Sequence, residues 1–175
     1  MRLITLLGLV LLLTAGLPAS ASWRSATIKD PARGEIGQIA ATEGVIKYRG
    51  GQRALLIVEC AEGQTALSLT TADMYFGNGH NQVQWSLDGG KPEGAPWRTC
   101  PFGDCLSLGG ERAIAMARAL MAAGTLKLAI DRGFGASIDA SFDVEDGRTA
   151  IAAVGRRCGW LDGTDDKPFR PQVAR

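Results

Sequence analysis

Residues that commonly carry out chemistry are scarce in this sequence of 175 residues, which contains a single histidine, His80. A histidine acting as a general base needs a nucleophile and an orienting carboxylate, and no sequence feature fixes either one. The nucleophile motif G-x-S-x-G and the phosphate and dinucleotide loops are also missing. We therefore predict no catalytic residue, no cofactor-binding residue and no cofactor. The sequence favours a non-enzymatic protein over an enzyme.

The sequence also lacks a net excess of either positive or negative charge. Arg2 is one of the 19 basic residues, so the remaining chain carries 18 basic and 18 acidic residues. This balance gives no bulk attraction for nucleic acid or for an anionic membrane surface. Beyond the first 21 residues, no apolar run is long and uncharged enough to span a membrane. We therefore expect neither a nucleic-acid partner nor a membrane span after removal of the N-terminal segment.

The first 21 residues resemble a secretory signal peptide. Arg2 is followed by an apolar core over residues 3–13, and Pro18 and the small residues 19–21 suit a cleavage site. We expect residues 22–160 to form a single globular domain and residues 161–175 to form a loose polar tail. The predicted location is the periplasm or the outside of the cell.

The four cysteines all follow the predicted signal, and an even number in an exported chain favours disulfides. Three connectivities are possible. We prefer Cys100–Cys105, because residues 101–104 form a turn between them, together with Cys60–Cys158. No paired C-x-x-C spacing supports zinc, so we expect no metal ligands.

Hydrophobic periodicity predicts the fold class. Residues 53–60 and 82–87 have the composition or alternation of strands, and residues 111–123 repeat with a helical period. A second helix is predicted before Cys158. Strands outnumber helices and connections are short, so the sequence predicts an α+β fold. We expect an antiparallel sheet or a twisted β-sandwich, stapled by disulfides, with two helices packed on it.

Partner contacts are expected at the tips of hairpins. Four side chains lie in or beside the segments 75–81 and 97–105 and are candidates for such contacts: Tyr75, His80, Trp97 and Phe102. Trp97 is the tryptophan we favour for exposure, because it stands between Pro96 and the small cysteine loop.

The order of these features resembles two families. An early Trp23, a strand ending at Cys60, and a terminal helix closing with Arg157-Cys158-Gly159-Trp160 resemble the VasI-like proteins associated with type VI secretion. The close pair Cys100 and Cys105 before a helix is similar to the invasion-associated locus B family. Both resemblances imply an exported accessory or interaction protein of a Gram-negative bacterium, without an enzymatic mechanism.

Three functions are therefore open at this point. The first is a non-enzymatic module of the bacterial envelope, associated with secretion or host interaction, that binds a protein or envelope component. The second is a small secreted hydrolase that uses His80. The third is an inhibitor of a foreign enzyme, in which the Cys100–Cys105 loop plugs an active site.

Overall fold

The computed structural model describes residues 22–48, 50–72, 74–131 and 137–161. The predicted signal peptide lies outside the described residues, and so do residues 162–175 of the predicted tail.

The described residues form nine strands, two α-helices and one short 3-10 turn. In chain order, these are β1 Arg24–Asp30, β2 Gly34–Lys47, β3 Gln52–Ala61, β4 Gln64–Thr71, β5 His80–Leu87, β6 Glu93–Thr99, β7 Cys105–Gly109, α1 Gly110–Leu120, β8 Thr125–Asp131, β9 Ser137–Asp143, the 3-10 turn Glu145–Gly147 and α2 Arg148–Arg157.

The sheet is closed. Its strands follow the order β1-β2-β3-β4-β7-β6-β5-β8-β9, and β9 pairs in turn with β2, with every pairing antiparallel. Eight strands thus form a barrel, and β1 lies outside the closure on the edge of β2. The predicted α+β fold, an antiparallel sheet or a twisted β-sandwich with two helices packed on it, is therefore wrong, because the chain forms a mostly-β closed barrel. Local periodicity reports that a strand has two faces, but it does not report whether the sheet closes.

Closure depends on the length of β2. This strand has 14 residues, and along one of its edges it pairs first with β1 and then with β9. Its first part, Gly34 to Ala41, pairs with β1, whereas Gly44 to Lys47 pair with β9. Gly44 lies opposite Phe142, whose ring occupies the space that a Cβ atom at Gly44 would need. The glycine therefore permits the close approach of β2 and β9.

Side chains from all eight barrel strands fill the interior. Alternate residues of each strand point inward, as expected for a barrel of this size. The largest fully buried side chain is Trp97 on β6, and most of its companions are aliphatic. Those on the barrel strands are Ile46, Leu56, Val58, Leu67, Leu69, Leu106, Leu126, Leu128 and Ile130.

Both helices lie at the barrel end marked by the turn between β3 and β4. Cys60, at the end of β3, is bonded to Cys158 at the end of α2, with 5.6 Å between their Cα atoms. Beside it, the indole Nε1 of Trp160 donates a hydrogen bond to the hydroxyl of Thr65 at 3.0 Å. Arg118 of α1 donates to the carbonyl of Trp160 at 2.5 Å. A covalent bond and buried polar contacts thus fix the helices to the barrel.

The opposite barrel end is covered by the chain between β4 and β5. Met74 and Phe76 from this segment are buried in the same core as the strands. Cys105 pairs with Thr70 at the far end of β4 from Thr65, so the Cys100–Cys105 loop also lies at this end. The helices and this loop therefore occupy opposite ends of the molecule.

The Cys60–Cys158 bond is expected to carry the larger share of disulfide stabilisation. It closes a loop of 98 residues, and loop-closure entropy gives about 4–5 kcal/mol for such a span against about 2 kcal/mol for the Cys100–Cys105 ring. Urea unfolding of the double variants C60S/C158S and C100S/C105S should show losses in that order. Equal losses, or a larger loss for the small ring, would contradict this assignment.

Gly44→Ala is expected to destabilise the protein by about 1–3 kcal/mol, because the added methyl group overlaps the Phe142 ring at the barrel closure. Gly94→Ala is the matched control. A Cβ at Gly94 in β6 meets its nearest neighbours at an ordinary 3.5 Å, so this change should be neutral or slightly stabilising. Thermal melting of the two variants measures the contrast, and similar melting temperatures would refute the role given to Gly44.

Candidate partner-binding surface

Cys100 and Cys105 close a small ring between β6 and β7. The two residues are bonded, with 5.2 Å between their Cα atoms. Inside the ring, the amide of Cys100 donates to the carbonyl of Cys105, and the amide of Gly103 donates to the carbonyl of Cys100, both at 2.9 Å. Gly103 has a φ of 73°, which a residue with a side chain adopts only with strain. The ring is therefore a preorganised loop. Both disulfides, Cys60–Cys158 and Cys100–Cys105, have the connectivity that we preferred from the sequence.

The ring is joined to the segment that precedes β5. The amide of Phe76 donates to the carbonyl of Gly103 at 2.7 Å. The Tyr75 ring lies directly against Gly103, where a Cβ atom would not fit. The Tyr75 hydroxyl also donates to Asn78 Oδ1 at 3.1 Å. Because Phe76 is buried, these contacts hold Tyr75 and the disulfide ring together as one unit.

Two aromatic side chains of this unit project into solvent. The exposed fraction is 85% for Phe102 and 57% for Tyr75. We call these two residues the aromatic tip. Large apolar side chains with this exposure on an ordered loop are typical of contact sites rather than of packing.

Trp97 does not belong to this surface. It is 0% exposed and points into the barrel from β6, so its predicted role as an exposed contact is wrong. The prediction placed Trp97 between Pro96 and the small cysteine loop, whereas β6 runs from Glu93 through Thr99 and includes both Pro96 and Trp97. Alternation along β6 turns Ala95, Trp97 and Thr99 to the interior.

A groove of about 610 Å³ begins beside the disulfide ring and crosses the outer face of β6, β7, β4 and β3. We call it the β3–β6 groove. Its lining includes Arg98 on β6 and Glu59 on β3. Between them, the hydroxyls of Ser68 and Ser107 form a hydrogen bond of 3.2 Å. Cys100 and Cys105 also line the groove, which therefore adjoins the aromatic tip's own loop.

Glu59 is the unusual residue of this groove. It is half-buried, and burial raises its pKa from the ordinary value of 4.5. Its partners across the ladder are Ile39 on β2 and Ala66 on β4, so apolar groups flank the carboxyl. Within the described residues, Arg33 provides the cation of both ion pairs, and it pairs with Asp30 and Glu62. Glu59 thus has no counter-ion in the described part of the chain.

His80 begins β5 at the same end of the barrel, and its ladder partner is Arg98 on β6. The side chain is exposed. In the described parts of the chain, its imidazole forms no hydrogen bond with a carboxylate or a hydroxyl. Among those residues, the nucleophile and the orienting carboxylate that a hydrolase needs are therefore not assembled around it.

Metal-ligating side chains do not cluster in the part of the chain that the structure describes. Residues 22–48, 50–72, 74–131 and 137–161 contain no group of three or more histidine, cysteine or acidic side chains placed to hold a metal ion. In the same ranges, no helix combines the length and the apolar character that crossing a membrane requires.

Of the four predicted contact residues, the structure brings Tyr75 and Phe102 together, puts His80 at the same barrel end and buries Trp97. Sequence reasoning missed Glu59 and Arg98. A signal for Glu59 was present, since it is the one acidic residue in the apolar run from Ala54 to Cys60, at an outward position that alternates with buried ones. No comparable signal marks Arg98.

The fold has a known relative among crystal structures. Invasion associated protein b from Bartonella henselae superposes with a TM-score of 0.51 at 17% identity, over 77% of this chain and 92% of that chain. At this identity, the similarity shows a shared fold. A comparison of the sequence with curated proteins finds no match.

The sequence matches a family model over residues 18–160, and the family is described as type VI secretion system VasI, EvfG. The match extends from Pro18 to Trp160 and so covers well over half of the chain. The resemblance seen in the tryptophan and cysteine pattern is thereby confirmed, and the chain belongs to the type VI secretion system VasI family.

Proposed function

We propose that the protein is an exported, non-enzymatic accessory module of type VI secretion that binds a protein partner in the bacterial envelope through its aromatic tip. Family membership supports the link to secretion. The single observation that carries the binding role is the exposure of Phe102 at the apex of a covalently closed ring.

Physical reasons favour the aromatic tip as the contact. Covering a Phe side chain with a partner surface contributes about 1.5–3 kcal/mol through the hydrophobic effect. The disulfide and the bonds to Gly103 already order the loop, so little conformational entropy is lost on binding. Tyr75 adds a second ring, which is itself held by Asn78. Aromatic residues on rigid supports are the usual hot spots of protein interfaces.

Export is supported by the chemistry of the cysteines. Two disulfides join all four of them in pairs, and such bonds persist in the periplasm or outside the cell rather than in the reducing cytoplasm. The N-terminal signal-like segment agrees with this location.

The inhibitor function is a second candidate, because the same observation favours it. A projecting Phe102 on a closed ring has the shape required to enter a cavity of another protein. The two functions differ in the identity of the partner, which is a secretion component in one case and a foreign enzyme in the other. The hydrolase alternative has no support from the described surroundings of His80.

Photo-crosslinking tests the proposed function most directly. A photo-reactive phenylalanine analogue replaces Phe102 in the producing bacterium, and irradiated products are identified by mass spectrometry. We expect a discrete adduct with a type VI secretion component. The same analogue at Arg112, an exposed position on α1 at the opposite barrel end, should not give this adduct. An adduct with a foreign enzyme would favour the inhibitor function, and identical products from both positions would refute the aromatic tip.

Phe102→Ala is expected to lower type VI secretion in a complemented deletion strain by about tenfold or more, because the truncation removes the most exposed large apolar side chain of the described residues. Val45→Ala is the matched control. Val45 is also an exposed apolar residue, but it lies on the outer face of β2 near the pairing with β9. Its truncation should leave secretion unchanged. Full secretion by the Phe102 variant, at wild-type protein levels, would contradict the proposal.

A further inference from the structure

Glu59 lies where partial burial disfavours the ionised form of its carboxyl group. On the outer face of β3, its neighbours along the strand are Ile57 and Ala61, and its ladder partners are Ile39 and Ala66. Removing a carboxylate from water without a cation or several hydrogen-bond donors is unfavourable. A threonine would suit this half-buried strand position without the cost of a charge. The fold therefore contains an acidic group that its own packing does not require.

Arg98 does not neutralise this group. β4 and β7 separate β3 from β6, and three strand spacings correspond to about 14 Å across the sheet. Ser107 and Ser68, which are bonded to each other, lie in the row of residues that joins Arg98 to Ile57, and Glu59 is two residues further along β3. The carboxylate and the guanidinium therefore line the same groove without pairing. Each has charge available to a molecule that enters the groove.

We propose that Glu59 accepts hydrogen bonds from a lysine or arginine side chain of the protein partner, with the β3–β6 groove as the pocket for that side chain. This inference rests on the proposed function, because the groove adjoins the ring that carries the aromatic tip. Ammonium and guanidinium groups are donors only, so they suit an unpaired carboxylate that has Ser68 as its diagonal neighbour on β4.

Asp104 contributes a second negative charge to the groove. It lines the groove from the disulfide ring, so the groove presents two carboxylates against one guanidinium. The carbonyl of Asp104 is already used, since it accepts a hydrogen bond from the Thr70 hydroxyl at 3.3 Å. The excess of negative charge thus belongs to side chains that face solvent or the groove, and a basic partner segment is the complementary ligand.

A random peptide library displayed on phage tests the inference while the partner itself is unidentified. Peptides are selected on the wild-type protein and, in parallel, on Glu59→Gln. We expect lysine or arginine to be enriched at one position among wild-type binders only. Calorimetry on the selected peptides should show binding to Glu59→Gln weakened about tenfold or more. Replacing the enriched basic residue by norleucine should cause a similar loss that does not add to the Glu59→Gln effect.

Glu43→Gln is the matched control, because Glu43 is an exposed acidic residue on the outer face of β2. It should bind the selected peptides as the wild type does. Basic enrichment that survives on Glu59→Gln, an equal loss for both variants, or a library that yields no peptide distinguishing wild type from Glu59→Gln would overturn the inference. Crosslinking through Phe102 that persists alongside such a result would show that the proposed function stands while the groove has no such role.

Folding of Glu59→Gln can be verified independently. Because burial raises the pKa of Glu59, the ionised carboxylate lowers stability above the folded-state pKa, and this cost is absent below the ordinary value of 4.5. Glu59→Gln should therefore melt above the wild type at pH 7, and the difference should shrink by pH 4. A lower melting temperature at pH 7 would contradict the unpaired state assigned to the carboxylate.

Discussion

The pairing of β2 with β9 is the constraint on which the rest of the structure depends. It converts a nine-stranded sheet into a closed barrel and thereby decides which side of every strand is interior. Trp97 is buried and Arg98 is exposed because of that closure. The pairing in turn depends on Gly44, where the Phe142 ring takes the space of a side chain.

The two disulfides have different tasks. Cys60–Cys158 joins the end of β3 to the end of α2, next to the Trp160–Thr65 hydrogen bond, and it stabilises the barrel end that carries the helices. Cys100–Cys105 lies at the other end and closes a ring of a few residues around an exposed Phe102. Stability and the proposed recognition are thus located at opposite ends of one barrel.

The sequence predicted part of this molecule well. The strand that ends at Cys60 and the helix that ends before Cys158 follow from their composition and periodicity, and so does the exposed loop around Phe102. The barrel was not predictable, because closure rests on strands with weak local signals. β2 is rich in Gly and Ala, and β6 contains Pro96 and Gly94 beside its inward residues. Pairing between residues about 100 positions apart, such as Gly44 with Phe142, leaves no trace in periodicity.

The groove was missed for a similar reason. Glu59 and Arg98 belong to strands that are not neighbours in sequence or in the sheet, and only the order β3-β4-β7-β6 places them on one surface. A single acidic residue in an apolar strand hints that its position is special, but it does not reveal what shares that face.

Hydrogen–deuterium exchange compares the protein alone with its complex with any component that crosslinks through Phe102, and it tests whether the aromatic tip and the β3–β6 groove form the binding surface. We predict that protection on binding is concentrated in the Cys100–Cys105 ring, the segment around Tyr75 and the part of β3 around Glu59, while α1 and α2 are unchanged. Protection centred on the helices, or on β1, would contradict it.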